Sequence, residues 1–324
     1  MANTDQHLTL LSDIGGTNTR VALAKGGALL PETVAKYPNA GRASLEDILR
    51  EYLETSQLTR VAGACVAVAG PVSGGGTSAK MTNLDWEIQA AAVAQATGAT
   101  TVSILNDLQA QGHALGKLAP DSLRPVLKGA DVPQGIAALV VGVGTGFNAA
   151  PVHETPGGRY VAASECGHVA LPVRTDEDFA LKRYLEQKHD FASVEHACAG
   201  RGLERIHAFV TGQNDVQQNG EEVLALLQAG DAQAQRSAQI FVRLLGAAIG
   251  DLALTHLPFG GIYLIGGAAR AITPWLEPFG FSQSFADKGR FGTFMAQFPI
   301  FVIEDDYAAL TGCAAHISAT LARR

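Results

Sequence analysis

Two apolar segments flank a short glycine-centred turn near the start of the chain, at Asp13-Ile14-Gly15-Gly16-Thr17-Asn18. Apolar segments interrupted by a Gly-Gly turn predict two antiparallel strands with a tight reversal between them. Glycine permits positive φ and leaves the backbone amides uncovered, so an anion can approach such a turn. Thr17 adds a hydroxyl donor. The alternative is an ordinary hairpin turn that binds nothing.

A carboxylate, Asp13, stands directly before this turn. It would repel a phosphate bound there unless a cation lay between the two groups. Mg²⁺ prefers oxygen ligands and keeps several of its waters when bound to proteins. We therefore expect Asp13 to hold Mg²⁺ through water, beside a phosphate on the turn formed by Gly15, Gly16, Thr17 and Asn18.

The same pattern of strand, glycine turn and strand recurs at residues 137–152, around Gly144-Thr145-Gly146. This likeness predicts a duplicated hairpin and two similar halves. A third glycine pair, Gly266-Gly267, follows an apolar segment and opens a helix. None of the three turns matches a P-loop or a dinucleotide-binding fingerprint. Together they suit the phosphates and nucleoside of a nucleoside triphosphate.

Apolar strands alternate with amphipathic helices through the rest of the chain, which predicts an α/β protein. The first 107 residues or so have the order βββαβαβ and are followed by a helix. We also expect Asp85 to cap a helix, residues 300–303 to form an edge strand, and residues 307–322 to form a closing helix.

Composition limits the partners. The net charge of -7 disfavours nucleic acid or an anionic membrane surface. The N-terminal residues lack a signal-peptide pattern, and no apolar run approaches the roughly 20 residues of a membrane span. The four cysteines are scattered without a CxxC pair, which is typical of a reduced, cytoplasmic protein with free thiols.

Asn106-Asp107 follows an apolar strand and precedes a helix. Ligands of open α/β sheets bind where strands end and helices begin. A phosphoryl acceptor that is an alcohol needs a base to take its proton, and such a base contributes typically 10²–10⁴-fold. Asp107 is the candidate base. The alternative is a helix N-cap, a role that Asp often takes.

Two further carboxylates and an imidazole are candidate sugar ligands. Glu165-Cys166-Gly167-His168 places a carboxylate and an imidazole three residues apart, and Glu195 lies on a later short helix. A carboxylate can engage two adjacent sugar hydroxyls, and a site built for hydroxyls rejects analogues that lack them. The alternatives are a structural histidine at His168 and a solvated helix residue at Glu195.

At this point the motifs resemble those of bacterial glucokinases, within the hexokinase–actin–heat-shock ATPase superfamily. The matching segments occur in family order and span nearly the whole chain: Asp13-Ile14-Gly15-Gly16-Thr17-Asn18-Thr19-Arg20, Met81-Thr82-Asn83-Leu84-Asp85-Trp86, Leu105-Asn106-Asp107, Gly144-Thr145-Gly146, Glu165-Cys166-Gly167-His168, Ser193-Val194-Glu195 and Leu264-Ile265-Gly266-Gly267. The resemblance implies a two-domain, actin-like ATPase (ribonuclease H-like) α/β fold with a duplicated βββαβαβα core and a ligand cleft between the domains. It implies a small domain of residues 1–108 with 307–324 and a large domain of residues 109–306.

The resemblance also implies ATP-dependent phosphorylation of the 6-hydroxyl of glucose, with Mg²⁺, by a cytoplasmic homodimer. It makes Asp107 the general base. The implied sugar-binding residues are Asn83, Asn106, Asp107, Glu165, His168 and Glu195. The implied nucleotide-binding residues are Asp13, Gly15, Gly16, Thr17, Asn18, Gly144, Thr145, Gly266 and Gly267.

The chain departs from the family pattern at two places. It reads Gly146-Phe147-Asn148-Ala149 where a Gly-Leu-Gly-like sequence is usual, and Phe147 is expected to narrow the cleft. Cys166 stands where glycine is more common. The cysteine-rich zinc motif of the sister ROK kinases is missing, so structural zinc is not expected. A kinase for mannose, fructose or an amino sugar, and a non-catalytic sugar sensor, remain alternatives.

Overall fold

The computed structural model describes residues 8–73, 75–81, 84–130 and 137–323. These residues divide into two compact units. The first contains the chain up to Ala119 and from Asp305 onward, and the second contains Pro120–Glu304. Sequence analysis placed the boundaries at residues 108 and 306 instead. The helix Asp107–Ala114 groups with the first unit because it packs along the closing helix Ala308–Leu321.

Strands and helices alternate along the described chain. The strands are β1 (Leu8–Ile14), β2 (Asn18–Lys25), β3 (Ala28–Leu29), β4 (Ala35–Pro38), β5 (Gly63–Val68), β6 (Ser78–Lys80), β7 (Glu87–Gln89), β8 (Thr101–Asn106), β9 (Leu123–Leu127), β10 (Ala138–Val143), β11 (Phe147–Thr155), β12 (Gly158–Val161), β13 (Ile262–Ile265) and β14 (Ile300–Ile303). The helices are α1 (Leu45–Thr55), α2 (Ala90–Thr97), α3 (Asp107–Ala114), α4 (Asp176–His189), α5 (Val194–Cys198), α6 (Gly200–Val210), α7 (Gly220–Gln228), α8 (Ala232–His256), α9 (Gly267–Leu276), α10 (Phe281–Ala286) and α11 (Ala308–Leu321).

The main sheets of the two units have the same strand order. In the first unit it is β3-β2-β1-β5-β8, with β4 also paired to β2, and β1 is antiparallel to β2 and parallel to β5. In the second unit it is β12-β11-β10-β13-β14, with β10 antiparallel to β11 and parallel to β13. The predicted duplicated core is therefore confirmed.

One strand of the second sheet was not predicted. β9 pairs with β14 and takes the edge position, so the expectation that residues 300–303 form an edge strand is wrong. The sequence of β9, Leu-Arg-Pro-Val-Leu, does not have the apolar pattern that predicts a strand, because an arginine and a proline interrupt it. Proline lacks a backbone donor and is tolerated in a sheet chiefly at such an edge.

Local sequence explains most of the helix starts. Ser44 caps α1 by accepting a hydrogen bond from the backbone of Asp47, and Thr175 forms a capping box at the start of α4. The expected cap at Asp85 is wrong. The strand β7 follows that residue, and α2 begins only after Gln89.

The central helix of the second unit is α8. It carries thirteen buried residues, among them Phe241, Leu245 and Ile249, and packs in the main hydrophobic core of this unit. In the described part of the chain it is the one helix with the length and hydropathy of a membrane span, and 61% of its apolar window is buried inside the protein. Burial of this kind is expected of a core helix.

The closing helix α11 touches α3 backbone to backbone. A Cβ atom built on Gly312 of α11 would lie 1.6 Å from the carbonyl oxygen of Ala110 in α3. Only glycine allows this approach, because any side chain at position 312 would have to displace a main-chain atom. The approach buries Leu310, Cys313 and Ile317 of α11 against the sheet of the first unit.

We therefore expect Gly312→Ala to lower the free energy of unfolding by about 3 kcal/mol, since overpacking that moves backbone is among the costlier core changes. Thermal denaturation measures the loss. The control is Gly157→Ala, because a Cβ there meets only the Thr155 hydroxyl at 3.7 Å. Equal melting temperatures for the two variants would contradict this account of the α3–α11 contact.

Candidate active site

The first glycine turn is held by a buried asparagine, Asn39. Its side-chain amide donates to the carbonyl oxygen of Gly15 at 2.8 Å, and its backbone N–H donates to the carbonyl oxygen of Thr17 at 2.9 Å. Its Oδ1 accepts a hydrogen bond from the hydroxyl of the buried Thr19, also at 2.8 Å. The turn is therefore fixed from one side, while Gly16 and Thr17 stay exposed to solvent.

The conformation of this turn differs from expectation. Neither Gly15 nor Gly16 has a positive φ. Glycine is needed here because it has no side chain, not because of its backbone conformation. A Cβ on Gly15 would lie 3.3 Å from the carbonyl oxygen of Asn18, which is a tight contact. The anion-binding role predicted for Gly15, Gly16, Thr17 and Asn18 stays a prediction.

Asp13 lies near the end of β1, opposite Arg20 on β2. The Arg20 Nη1 atom is 3.3 Å from Asp13 Oδ2. Burial raises the pKa of the Asp13 carboxyl, and the attraction of Arg20 offsets this only in part. Asp13 is therefore a carboxylate whose negative charge is incompletely compensated by the protein.

Asp107 is the first residue of α3, and Asn106 is its cap. Asn106 Oδ1 accepts from the backbone N–H of Leu108 at 3.0 Å, and Asn106 Nδ2 donates to the carbonyl oxygen of Gly70 at 3.2 Å. The alternative in which Asp107 serves as the N-cap is thus wrong by one residue. Asp107 Oδ1 accepts from the N–H of Leu108 at 2.9 Å, and the side chain of Asn106 also hydrogen-bonds to the Asp107 carboxyl.

The environment of Asp107 shifts its acidity. Burial raises its pKa from 3.8 to about 6, and the negative charge of nearby Asp13 adds to the increase. The hydrogen bonds from Leu108 and Asn106 act in the opposite direction. A raised pKa from burial and a like charge is typical of functional carboxylates.

The residues of this corner fit Mg²⁺. Two carboxylates, Asp13 and Asp107, repel each other there. The ion pair between Arg20 and Asp13 neutralises part of their combined negative charge. Mg²⁺ needs only one or two protein carboxylates, because waters and substrate phosphates supply its other ligands. Among the described residues, no cluster of three or more His, Cys, Asp or Glu side chains has metal-binding geometry. The described residues therefore do not form a metal site in which the protein supplies all of the ligands.

The second glycine turn lies where two helices begin. The carbonyl oxygen of Gly144 accepts from the backbone N–H of Gly200, the first residue of α6, at 2.7 Å. Gly266 has a φ of +113° and directly precedes α9, and a Cβ there would lie 2.4 Å from the carbonyl oxygen of Val143. The starts of α6 and α9 thus meet at the turn beside Thr145. Helix N-termini attract phosphates through uncapped N–H groups and the helix dipole.

The predicted sugar ligands of the second unit lie around the start of β11. Glu195, on α5, accepts a hydrogen bond from the backbone N–H of Phe147 through Oε2 at 3.0 Å. Gly167 lies against the same strand, since a Cβ there would be 1.9 Å from the carbonyl oxygen of Phe147 and 3.5 Å from the Cβ of Glu195. The structure therefore brings Glu195 beside the loop that carries Glu165 and His168, whose side chains are exposed.

Comparison with known proteins agrees with this geometry. A family model described as Glucokinase matches residues 10–320. The chain belongs to the glucokinase family. The glucokinase of Chromobacterium violaceum is 34% identical over 319 residues, which cover 97% of this chain and 90% of that protein.

Two further glucokinase-family relatives extend the comparison. The crystal structure of a glucokinase from an Antarctic psychrotroph superposes with a TM-score of 0.85 at 29% identity, covering 96% of this chain and 98% of that one. The predicted actin-like ATPase fold is thereby confirmed. The bifunctional protein glk of Burkholderia lata is 31% identical over 319 residues, but the chain spans only 49% of that protein's length.

Several site residues of this glucokinase-family chain stand differently from the sequence prediction. Phe147 is buried in the core of the second unit, so the expectation that it narrows a cleft is wrong. Asn83 lies outside the described residues. The prediction for the four cysteines is confirmed, since all of them are free thiols. The structure adds supporting residues that sequence analysis missed: Arg20, Asn39, Asn148 and Gly200.

No local pattern marks the missed residues. Asn39 and Gly15 are 24 positions apart, and Gly200 follows Gly144 by 56 positions. Each acts on a distant turn through one or two backbone atoms. The cue that sequence offers for Asn39 is its position just after an amphipathic strand, which by itself indicates only a loop.

The raised pKa of Asp107 has a consequence for stability. Since the folded-state pKa, about 6, lies above 3.8, the ionised carboxylate costs stability, and this cost grows as the pH rises from 4 through 6. We expect Asp107→Asn to be more stable than wild type at pH 8, by at most about 3 kcal/mol, because two pKa units correspond to that free energy.

Thermal melts at pH 4 and pH 8 test this expectation. The gain in melting temperature should be present at pH 8 and absent at pH 4. The control is Asp121→Asn, at an exposed aspartate of the second unit. If Asp107→Asn is no more stable than wild type at pH 8, Asp107 is not desolvated as described.

Proposed function

We propose that this protein transfers the γ-phosphoryl group of ATP to the 6-hydroxyl of glucose, with Asp107 as the general base. The observation that carries the proposal is the state of Asp107. It is the first residue of α3, its pKa is raised to about 6, and it interacts with Asp13 beside the first glycine turn. Membership of the glucokinase family supplies the reaction class.

A base of this strength suits the reaction. General-base catalysis is most efficient when the pKa of the base lies near the working pH. At pH 7 a carboxyl group with a pKa of about 6 is mostly ionised, yet it is more basic than an ordinary aspartate. Asp107 would take the proton of the sugar hydroxyl as that oxygen attacks phosphorus.

The nucleotide would be held by backbone groups rather than by lysine. The turn at Gly15-Gly16-Thr17 and the turn at Gly144-Thr145, where α6 and α9 begin, present N–H groups to the phosphates. Asp13 would hold Mg²⁺ through water, and this ion offsets negative charge during phosphoryl transfer. The remaining contribution of the chain is positioning and exclusion of water.

The sugar would be bound by carboxylates with free oxygens. Glu165 and His168 are exposed, and Glu195 keeps Oε1 available while Oε2 is bound to Phe147. Asn106, whose amide also donates to Gly70 and to the Asp107 side chain, belongs to the set by family resemblance. Asn83 completes the set by family resemblance.

The same resemblance extends the proposal to a cytoplasmic homodimer. Light scattering on the purified protein tests the dimer.

A coupled assay for ADP release tests the reaction directly. Glucose should give the highest kcat/KM in a panel with mannose, fructose and glucosamine. A higher kcat/KM for another hexose would favour the alternative of a kinase for that sugar. Sugar binding without ADP release would favour a non-catalytic sensor and would overturn the proposal.

For the base, we expect Asp107→Ala to lower kcat by at least about 10²-fold, because proton removal is lost while the sugar ligands remain. Glucose binding, measured by calorimetry, should stay detectable. Asp121→Ala is the matched control and should keep wild-type turnover. Near-normal turnover of Asp107→Ala would remove this residue from the mechanism.

For the sugar ligands, we expect Glu165→Gln to raise the KM for glucose by about 10-fold or more, since a charge-assisted hydrogen bond is replaced by a neutral one. The KM for ATP should change little. Glu154→Gln, at the exposed far end of β11, is the control. An unchanged glucose KM in Glu165→Gln would place this carboxylate outside the sugar site.

A further inference from the structure

One side chain, Asn148, connects β11 to the loop on which Glu165 and His168 lie. Asn148 is the second residue of β11 and pairs with Gly142 of β10. It belongs to the Gly146-Phe147-Asn148-Ala149 segment, at which the chain departs from the Gly-Leu-Gly-like sequence that the resemblance implies. The proposed mechanism does not use the amide at this position.

The amide of Asn148 binds both residues that flank Glu165. Its Nδ2 donates to the carbonyl oxygen of Ser164 at 2.5 Å. Its Oδ1 accepts from the backbone N–H of Cys166 at 3.1 Å and from the Cys166 thiol at 3.4 Å. The same oxygen is within reach of the Ser164 hydroxyl at 3.2 Å and the N–H of Ala149 at 2.8 Å.

The loop is pressed against the strand at one further point. Gly167 lies so close to the carbonyl oxygen of Phe147 that a Cβ would come within 1.9 Å of it. Glu195 is bound to the backbone N–H of the same residue. A shift of the loop relative to β11 would therefore change the spacing between Glu165, His168 and Glu195.

The positions of Glu165 and His168 depend on the backbone of their loop, in which the N–H of His168 donates to the carbonyl oxygen of Glu165 at 3.1 Å. The side chains of Glu165 and His168 form no hydrogen bond or ion pair with any described residue, so their positions follow from the loop backbone. That backbone is short and has no strand partner at Ser164 or Glu165. The bonds from Asn148 hold it at Ser164 and Cys166, together with a bond from the Ser164 hydroxyl to the carbonyl oxygen of Ala149 at 2.8 Å.

We propose that Asn148 is a positioning residue for sugar recognition: it holds the Ser164–Cys166 backbone so that Glu165 and His168 face the sugar together with Glu195. It does not touch the reacting atoms. Cys166, the other departure from the family pattern, acts through Asn148 by donating its thiol hydrogen. This inference rests on the proposed sugar site.

The test is Asn148→Ala in the full-length protein. We expect the KM for glucose to rise by about 10- to 100-fold, because a ligand group displaced by about 1 Å can cost that much. The KM for ATP should stay within about twofold, and kcat should fall less than the glucose KM rises. Hydrogen exchange of residues 163–169 should become at least about 10-fold faster, since their anchoring bonds are lost.

A matched control separates positioning from general destabilisation. Asp231→Ala removes a side chain that caps α8 by accepting from the N–H of Ala234 at 2.8 Å. It should lower the melting temperature without raising the glucose KM or the exchange of residues 163–169. If it changes these quantities as much as Asn148→Ala does, the effect is one of stability, and the inference is overturned.

A double-mutant cycle tests the role assigned to Cys166. Cys166→Ala alone should raise the glucose KM by less than about threefold, because it removes only a weak thiol donor. Combined with Asn148→Ala it should add no further increase, since the thiol acts through the lost amide. Additive effects would show that Cys166 acts independently and would contradict the proposed arrangement.

The possible failures are distinguishable. A wild-type protein that does not phosphorylate glucose overturns the proposed function. An active wild type together with a folded Asn148→Ala whose glucose KM is unchanged overturns only the inference. If Asn148→Ala does not fold, Asn148→Asp serves instead. It keeps the acceptor and loses the donor to Ser164, so it should still raise the glucose KM by about fivefold, as expected for one lost hydrogen bond.

Discussion

The backbone contact between α11 and α3 is the constraint on which the positions of Asp107 and its neighbours depend. α3 has only eight residues, and so short a helix is marginal by itself. Its direction is set by α11, which approaches it at Gly312, and by a hydrogen bond of 3.2 Å between His113 and His316. Burial lowers the pKa of His316 to about 4, so the His316 ring of this pair is uncharged at neutral pH. Because Asp107 begins α3, the packing of α11 determines where the carboxyl of the proposed base stands.

The burial of Asp13 and Asp107 close to each other lowers the stability of the folded protein, and a site with a purely structural role would not need it. Asp13 and Asp107 are both desolvated and repel each other, while Arg20 compensates only one of them. A fold optimised for stability would have neutral or apolar residues there. The arrangement is intelligible if a base and a cation-binding carboxylate are both needed, and if bound Mg²⁺ relieves the repulsion.

The first two glycine turns occupy equivalent positions in the two units, but different residues hold them in place. The first is braced by the buried side chain of Asn39, whereas the second is braced by the N–H of Gly200 at the start of α6. The duplication thus preserves strand order and turn position but not the supporting contacts. In the second unit the equivalent region also contacts Glu195, which accepts a hydrogen bond from the N–H of Phe147 and so links the turn to the proposed sugar ligands. Asn148 then extends this network to the neighbouring loop.

Much of the architecture could be predicted because its signals are local. Apolar segments ending at glycine pairs indicated the duplicated hairpins, and Thr175 and Ser193 form the capping boxes typical of their helix starts. The strand–helix junction at Asp107 was likewise visible in the sequence, and the role of this carboxylate as a base stays a prediction. Where the local signal was weak or ambiguous, as in β9 and at Asp85, the prediction was wrong.

By itself, the sequence indicated most of the strands and helices, the three glycine turns and the residue types available for phosphoryl transfer. These properties follow from periodicity, capping and side-chain chemistry, which act over a few residues. Only the tertiary structure decided that Asn106 rather than Asp107 caps α3, that burial and Asp13 raise the pKa of Asp107, and that Asn148 holds the loop of Glu165. Desolvation and long-range hydrogen bonds depend on which distant atoms come into contact, and no short segment of the chain contains that information.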